Sequence, residues 1–249
     1  MKGALHRTLT LTLAGSLSLT IAGHAAVNRE DAEETARLLA ALLDAGRVVV
    51  DRNQPLIDDP HKGHKGFTPE VFEKQLQDEF RSRTGVNVTN LETARVPPLA
   101  RELLPALVQS SKEVVADAQV VINQRGIEYK NFIPATFGSQ AAARFSRKSS
   151  VRLKQTALHP RNPKNTPDAY ETAILRRLAI QASHSAPISE LTDDGKTLRV
   201  LSPIYYTKEC LKCHGGQAGD FDISGYPKEG AREGDLAGAI SVTIPLEGH

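Results

Sequence analysis

The chain has 249 residues, 40% of them hydrophobic, and a formal net charge of +2. That length buries one good core or two small ones, and one domain over residues 26–249 is expected. Lys2 and Arg7 are the only charged residues of the first 25. Beyond them bases and acids balance, so the chain lacks the basic face that supplies affinity for phosphate backbones, and nucleic acid is excluded as a partner.

The N-terminus reads "MKGALHR", then the apolar run "TLTLTLAGSLSLTIAG", then Gly23 and Ala25 at the −3 and −1 places of a cleavage site. This is the pattern of a secretory signal over residues 1–25, with export to the periplasm and cleavage near Ala25. A retained membrane helix is the competing reading. The run falls short of the ~20 apolar residues a span needs and is diluted by threonine and serine. No cysteine follows it to carry a lipid anchor, and no later segment is apolar enough to span.

Asn28 and the acids behind it suit a helix N-terminus, and Leu38, Leu39, Leu42 and Leu43 give the helix over 28–54 an apolar stripe. A loop rich in Pro, Gly and Asp follows, "PLIDDPHKGHKGF". Thr68 and Pro69 then read as N-cap and first helical residue, with Phe72, Leu76 and Phe80 on one face. Further helices are predicted over 98–124, kinked at Pro105, and over 135–145. Thr166-Pro167-Asp168 repeats the cap-and-proline start for a helix carrying Tyr170, Ile174 and Leu178. The character then turns to strand in "TLRVLSPIYY" (197–206) and "LAGAISVTIPL" (236–246). The predicted class is α+β, helical first and strand-like at the end.

Between those two strands lies "YYTKECLKCHGG", which holds the only two cysteines of the chain. Cys-x-x-Cys-His is the pattern of covalent haem attachment. In that reading Cys210 and Cys213 form thioethers to the vinyl groups, and His214 is the proximal iron ligand. Three other readings stand beside it. A thioredoxin-type disulfide would open a helix, which Gly215-Gly216 cut short. A zinc site would need two further ligands at an unrecognised spacing, and a structural cysteine pair closing a small loop is also open. Export favours the single covalent haem c.

The inventory also limits the sixth ligand. The only methionine is Met1, which leaves with the signal, and both thiols are consumed by attachment. His, Lys, Tyr, water or an open site remain, with His61, His64, His159, His184 and His249 as the histidines. A lone histidine is more often simply solvated.

"LKQTALHPRNPKNTPDAYE" (153–171) followed by "LSPIYYTKECLKCHG" resembles a family of single-haem c-type domains with a PAS-like fold. That family was first catalogued as a domain of unknown function, and occurs as exported proteins and as the input domain of bacterial receptors. "RVVVDRNQPLIDDP", "GFTPEVFEKQL", "KNFIPATFG" and "DISGYPKEG" are similar to its exported, stand-alone branch. The resemblance implies a small antiparallel sheet flanked by several helices, with a c-haem attached in a loop between C-terminal strands. Some relatives supply a cysteine opposite the iron just before a segment like Ile133-Pro134-Ala135. Here Tyr129 and Lys130 stand in that neighbourhood, which leaves Tyr129, His61 and His64 as the distal candidates. Lys154, Arg161 and Asn162 lie in the matching stretch and are candidates for the haem propionates, Arg by bidentate pairing. Alternatively, Arg161-Asn162-Pro163 only shapes a turn. Tyr205 and Tyr206, with Ile204, are expected against the ring, and Asp222 and Glu229 read as loop residues.

Two functional classes follow. One is a non-enzymatic module that transfers an electron, or senses redox poise or a diatomic gas, through an unidentified protein partner. The other is a peroxidase-like enzyme, which needs a distal acid–base group that no residue pattern here supplies.

Overall fold

The computed structural model describes residues 27–181 and 185–247. The expected signal segment, His184 and His249 lie outside the described residues. Six helices and four strands follow in the order α1 Arg29–Ile57, α2 Pro69–Thr84, α3 Pro98–Ile122, α4 Pro134–Ser146, β1 Arg152–Thr156, α5 Ala169–Ala179, β2 Ile188–Thr192, β3 Thr197–Tyr205, α6 Leu211–His214 and β4 Leu236–Pro245. A 3₁₀ turn, Pro163–Asn165, stands between β1 and α5. The fold is α+β, as the sequence predicts.

The caps are where the side chains place them. Asn28 accepts a hydrogen bond from the Asp31 backbone N–H, and Thr68 caps α2 with Pro69 as its first residue. Helix α3 continues through Pro105. The start of α5 is corrected: its N-cap is Asp168, not Thr166. Asp168 accepts from the Glu171 N–H while the Glu171 carboxylate accepts from the Asp168 N–H. This reciprocal pair satisfies two donors, and Thr166 instead closes the preceding 3₁₀ turn.

The sheet order is β1-β4-β3-β2, antiparallel throughout. The two strands predicted from sequence are its two central ones. The edge strands β1 and β2 are five residues each and partly polar, so they give no alternating apolar signal. Alternation along the strands sends Leu153, Leu198, Val200, Ile240, Val242 and Ile244 to one face, where they join the buried side chains of α1 to α4. The opposite face presents Leu201 and Ala239 to Ile174, Leu175 and Leu178 of α5. The sheet is thus covered by α1 and α4 on one side, with α2 and α3 packed behind them, and by one short helix on the other.

Phe72 anchors the larger core, with ring centroids 6.1 Å from Phe67 and 5.1 Å from Phe137. Truncating a fully buried phenylalanine of this kind is expected to cost about 3–5 kcal/mol. Among the described residues no helix is long and apolar enough to cross a membrane.

Candidate functional site

One end of the sheet opens into a cleft of about 1480 Å³. Its walls come from α1, the loop before α4 and α4 itself on one side. The end of β1, the 3₁₀ turn, the end of β3 and the Cys-x-x-Cys-His segment form the other. Cys210, Cys213 and His214 all line it, with Tyr205 and Tyr206 beside them.

A bulge sets where β3 ends. Ile204 pairs with Gly238 but Tyr205 pairs with Leu236, so Ala237 is the extra residue. Gly238 has φ +154°, and a Cβ there would lie 2.4 Å from the Thr156 carbonyl oxygen, so only glycine fits. The added twist turns Tyr205 and Tyr206 to the cleft, and the Tyr205 hydroxyl accepts from the Ser185 N–H at 3.0 Å. Burial pushes the Tyr206 phenol up to about 12.

The attachment segment is a single helical turn. The N–H groups of Cys213 and His214 both donate to the Cys210 carbonyl, at 3.2 and 3.0 Å. Helix α6 stops at Gly215, where a Cβ would lie 2.8 Å from the Leu211 Cβ. Both thiols are free and half-buried. Burial first, and then the nearby Asp222 carboxylate, push the Cys213 thiol up.

The imidazole of His214 is held from two sides. Its ring centroid lies 4.9 Å from that of Tyr206, and its Nδ1 lies 2.7 Å from Glu229 Oε2. A carboxylate only accepts, so Nδ1 carries the proton. Nε2 has no hydrogen-bond partner among the described residues.

Glu229 is itself fixed by Arg161. Nε donates to Oε1 at 2.8 Å and Nη2 to Oε2 at 3.1 Å. The same guanidinium donates through Nη1 to Asp222 Oδ2 at 2.5 Å and through Nη2 to the Cys213 carbonyl at 3.0 Å. It also lies 5.5 Å from the Tyr226 ring centroid. The Asp222 side chain is shielded from solvent, although the residue as a whole is half-buried at the cleft wall. Burial raises its pKa, but hydrogen bonds from Ser224 and Arg161 outweigh that and hold the carboxyl well below the usual range. For Glu229 too, burial is outweighed by the bonds from Arg161 and His214, and its pKa is lowered.

These contacts revise several expectations. Arg161 and Lys154 meet carboxylates of the protein itself; Lys154 Nζ donates to Glu171 Oε2 at 2.7 Å and to the Thr166 carbonyl at 2.6 Å. Asn162 takes the turn-shaping role, its Oδ1 accepting from the Lys164 N–H at 3.0 Å. Asp222 and Glu229, read from sequence as loop residues, are central to the site. Only the resemblance carried by "DISGYPKEG" (222–230), which contains both, pointed toward them, since two acids in a glycine-rich stretch look like a solvated turn.

Of the distal candidates, Tyr129 lines the cleft and bonds Asn131 at 3.2 Å. His61 and His64 are exposed and do not line it. Their loop is pinned toward α3 by buried Lys65, whose N–H donates to Asn123 Oδ1 at 2.9 Å and whose ammonium donates to the Asp59 and Lys62 carbonyls. His159 does line the cleft.

Three cleft-lining side chains hold buried polar atoms without partners: Arg47 Nε, Gln54 Oε1 and Gln155 Oε1. Gly138 of α4 passes directly over two of them. A Cβ there would lie 2.5 Å from Gln155 Oε1 and 3.0 Å from Arg47 Cδ. Buried orphans of this kind are rare, and these atoms are sealed from solvent, so they lie behind the cleft surface and not on it.

The fold and this constellation define a protein with a large cleft, two thiols and one oriented imidazole on its wall. The chain belongs to the Tll0287-like family, whose model matches residues 25–245. Among solved structures, it is similar to that described as the crystal structure of the cyanobacterial heme-protein Tll0287. The two share 20% identity with a TM-score of 0.43, over 61% of this chain and 98% of that one. No curated protein matches the chain.

Proposed function

We propose that this is an exported c-type haem protein with one covalently attached haem and a PAS-like fold over residues 26–249, acting as an electron carrier or a redox or gas sensor rather than an enzyme. The observation that carries the reading is the single turn that sets two free thiols and one imidazole, its Nδ1 already bonded, on the wall of a cleft of about 1480 Å³. Membership in a family bearing the name of a cyanobacterial haem-protein supports it.

The residues fit the group. Cys210 and Cys213 would form the thioethers, and His214 would offer Nε2 to iron. Arg147 and Lys164 line the cleft without a carboxylate partner among the described residues, which suits them to propionates. Once bound, haem supplies a one-electron couple and a position for diatomic ligands. The zinc alternative has no support here, because among the described residues no group of three or more His, Cys, Asp or Glu is arranged to hold a metal ion.

Visible spectra of the purified exported protein, oxidised and reduced, test the reading. A c-type Soret and α-band pair is expected, and a colourless protein contradicts it. Carbon monoxide then separates the roles: a fast Soret shift on the reduced protein favours gas sensing, and no shift favours electron transfer. Steady peroxide turnover with an electron donor at the ~10 s⁻¹ typical of enzymes would overturn the non-enzymatic assignment.

A further inference from the structure

Within the haem reading, we infer that Glu229 is the positioning residue of the proximal histidine, and that Arg161 fixes its carboxylate. Three observations converge. Glu229 Oε2 takes the Nδ1 proton of His214 at 2.7 Å. Arg161 engages both oxygens of that carboxylate, which sets its plane. The same guanidinium holds the Cys213 carbonyl at 3.0 Å, so the turn carrying both thiols and the carboxylate orienting the imidazole share one anchor.

Two consequences follow for the ring. Neutral imidazole carries one proton, and holding it on Nδ1 leaves the Nε2 lone pair free. A carboxylate bonded to Nδ1–H also makes the ring a stronger donor, and stronger donation favours ferric over ferrous iron. Asp222, its side chain shielded from solvent, completes the arrangement, since with Glu229 it surrounds Arg161 by two carboxylates. The Glu229 charge is therefore not simply cancelled by the cation that holds it.

A glutamine at 229 would break this logic while keeping the shape. The amide has one acceptor oxygen where Arg161 needs two. If the oxygen meets Arg161, the amide N–H₂ faces Nδ1 and demands the other tautomer.

Two measurements on the full chain decide the matter. In protein made without haem attachment, with both thiols free, ¹⁵N shifts of neutral His214 should report the Nδ1–H tautomer. Glu229→Gln should shift the population toward Nε2–H. An Nε2–H tautomer in the parent chain overturns the inference without any variant. In haem-loaded protein, Glu229→Gln should raise the ferrous-to-ferric ratio at a fixed potential about tenfold, ~59 mV for one electron. The iron–histidine stretching band should fall in frequency. Arg161→Lys, which keeps the charge but loses the two-pronged grip, should move both in the same direction by less.

If covalent haem is present and neither potential nor band moves, Glu229 is only a loop residue and the haem reading stands. If no haem is attached, the haem reading fails by itself, and the tautomer measurement still decides the role of Glu229.

Discussion

Glu229 and His214, fifteen residues apart, are joined by a 2.7 Å bond between a carboxylate oxygen and Nδ1. The bond closes the loop between α6 and β4, whose backbone is also tied by the Ala231 N–H donating to the His214 carbonyl at 2.9 Å. The loop is thus organised around the attachment motif.

Arg161 is the hub of that organisation. Arg161→Met removes the partner of the shielded Asp222 carboxylate and of Glu229. Removing one partner of a buried pair costs about 3–5 kcal/mol, and less is expected here because Asp222 keeps its bonds from Ser224 and Tyr226 and Glu229 is partly exposed. The urea midpoint should fall at constant slope. An unchanged midpoint would show that the network adds nothing to stability.

Substituting His61 or His64 with alanine should leave the spectrum and potential of the loaded protein unaltered, because neither lines the cleft. His159 does, and His159→Ala is the histidine substitution among these three with a direct route to the cleft. A changed Soret band in His61→Ala or His64→Ala would refute this placement.

Gly238→Ala tests the bulge. The substitution forces an L side chain into φ +154° and against the Thr156 carbonyl. Strain of this sort costs about 1–3 kcal/mol, and the contact adds to it. Thermal melts should show the loss, and near-ultraviolet dichroism should report displaced tyrosines. Full stability would mean that the strand can relax there at no cost.

Acid stability should carry the mark of Glu113, which joins α3 to α4 through Arg144 and to Lys148 beyond it. Hydrogen bonding to Lys148, then to Gln109, lowers its carboxyl from 4.5 to about 2. The folded value lies below the unfolded one, so the contribution is full above about pH 4.5 and is lost as pH falls toward 2. The Tm difference between the parent and Glu113→Gln should be constant from pH 7 to 5 and shrink below 4.5. A difference independent of pH would refute the assignment.

How far the sequence carried the fold depended on the signal each element left. Capped helices with apolar stripes, such as α1 and α2, were legible because Asn28 and Thr68 declare their starts. The central strands were legible from runs such as Leu198 to Leu201, whereas β1 and β2 were not, since an edge strand like "RLKQT" alternates too little. At the site, Cys210, Cys213 and His214 were visible as a motif. Glu229 and Asp222 were not, because their meaning depends on Arg161, more than sixty residues earlier. Local sequence cannot tell an acid that meets solvent from one that meets a guanidinium across the fold. For the same reason Arg161 looked free to hold a ligand, while the structure commits its donors to the protein.

The central claim is that Cys210 and Cys213 carry a covalently bound haem. The most direct test is the intact mass of protein made with a c-haem maturation system, taken after acid–acetone extraction and compared with a Cys210→Ala/Cys213→Ala chain. The account predicts that the parent keeps its colour and exceeds the polypeptide mass by one haem, while the double variant loses both. A parent at the bare polypeptide mass would contradict it.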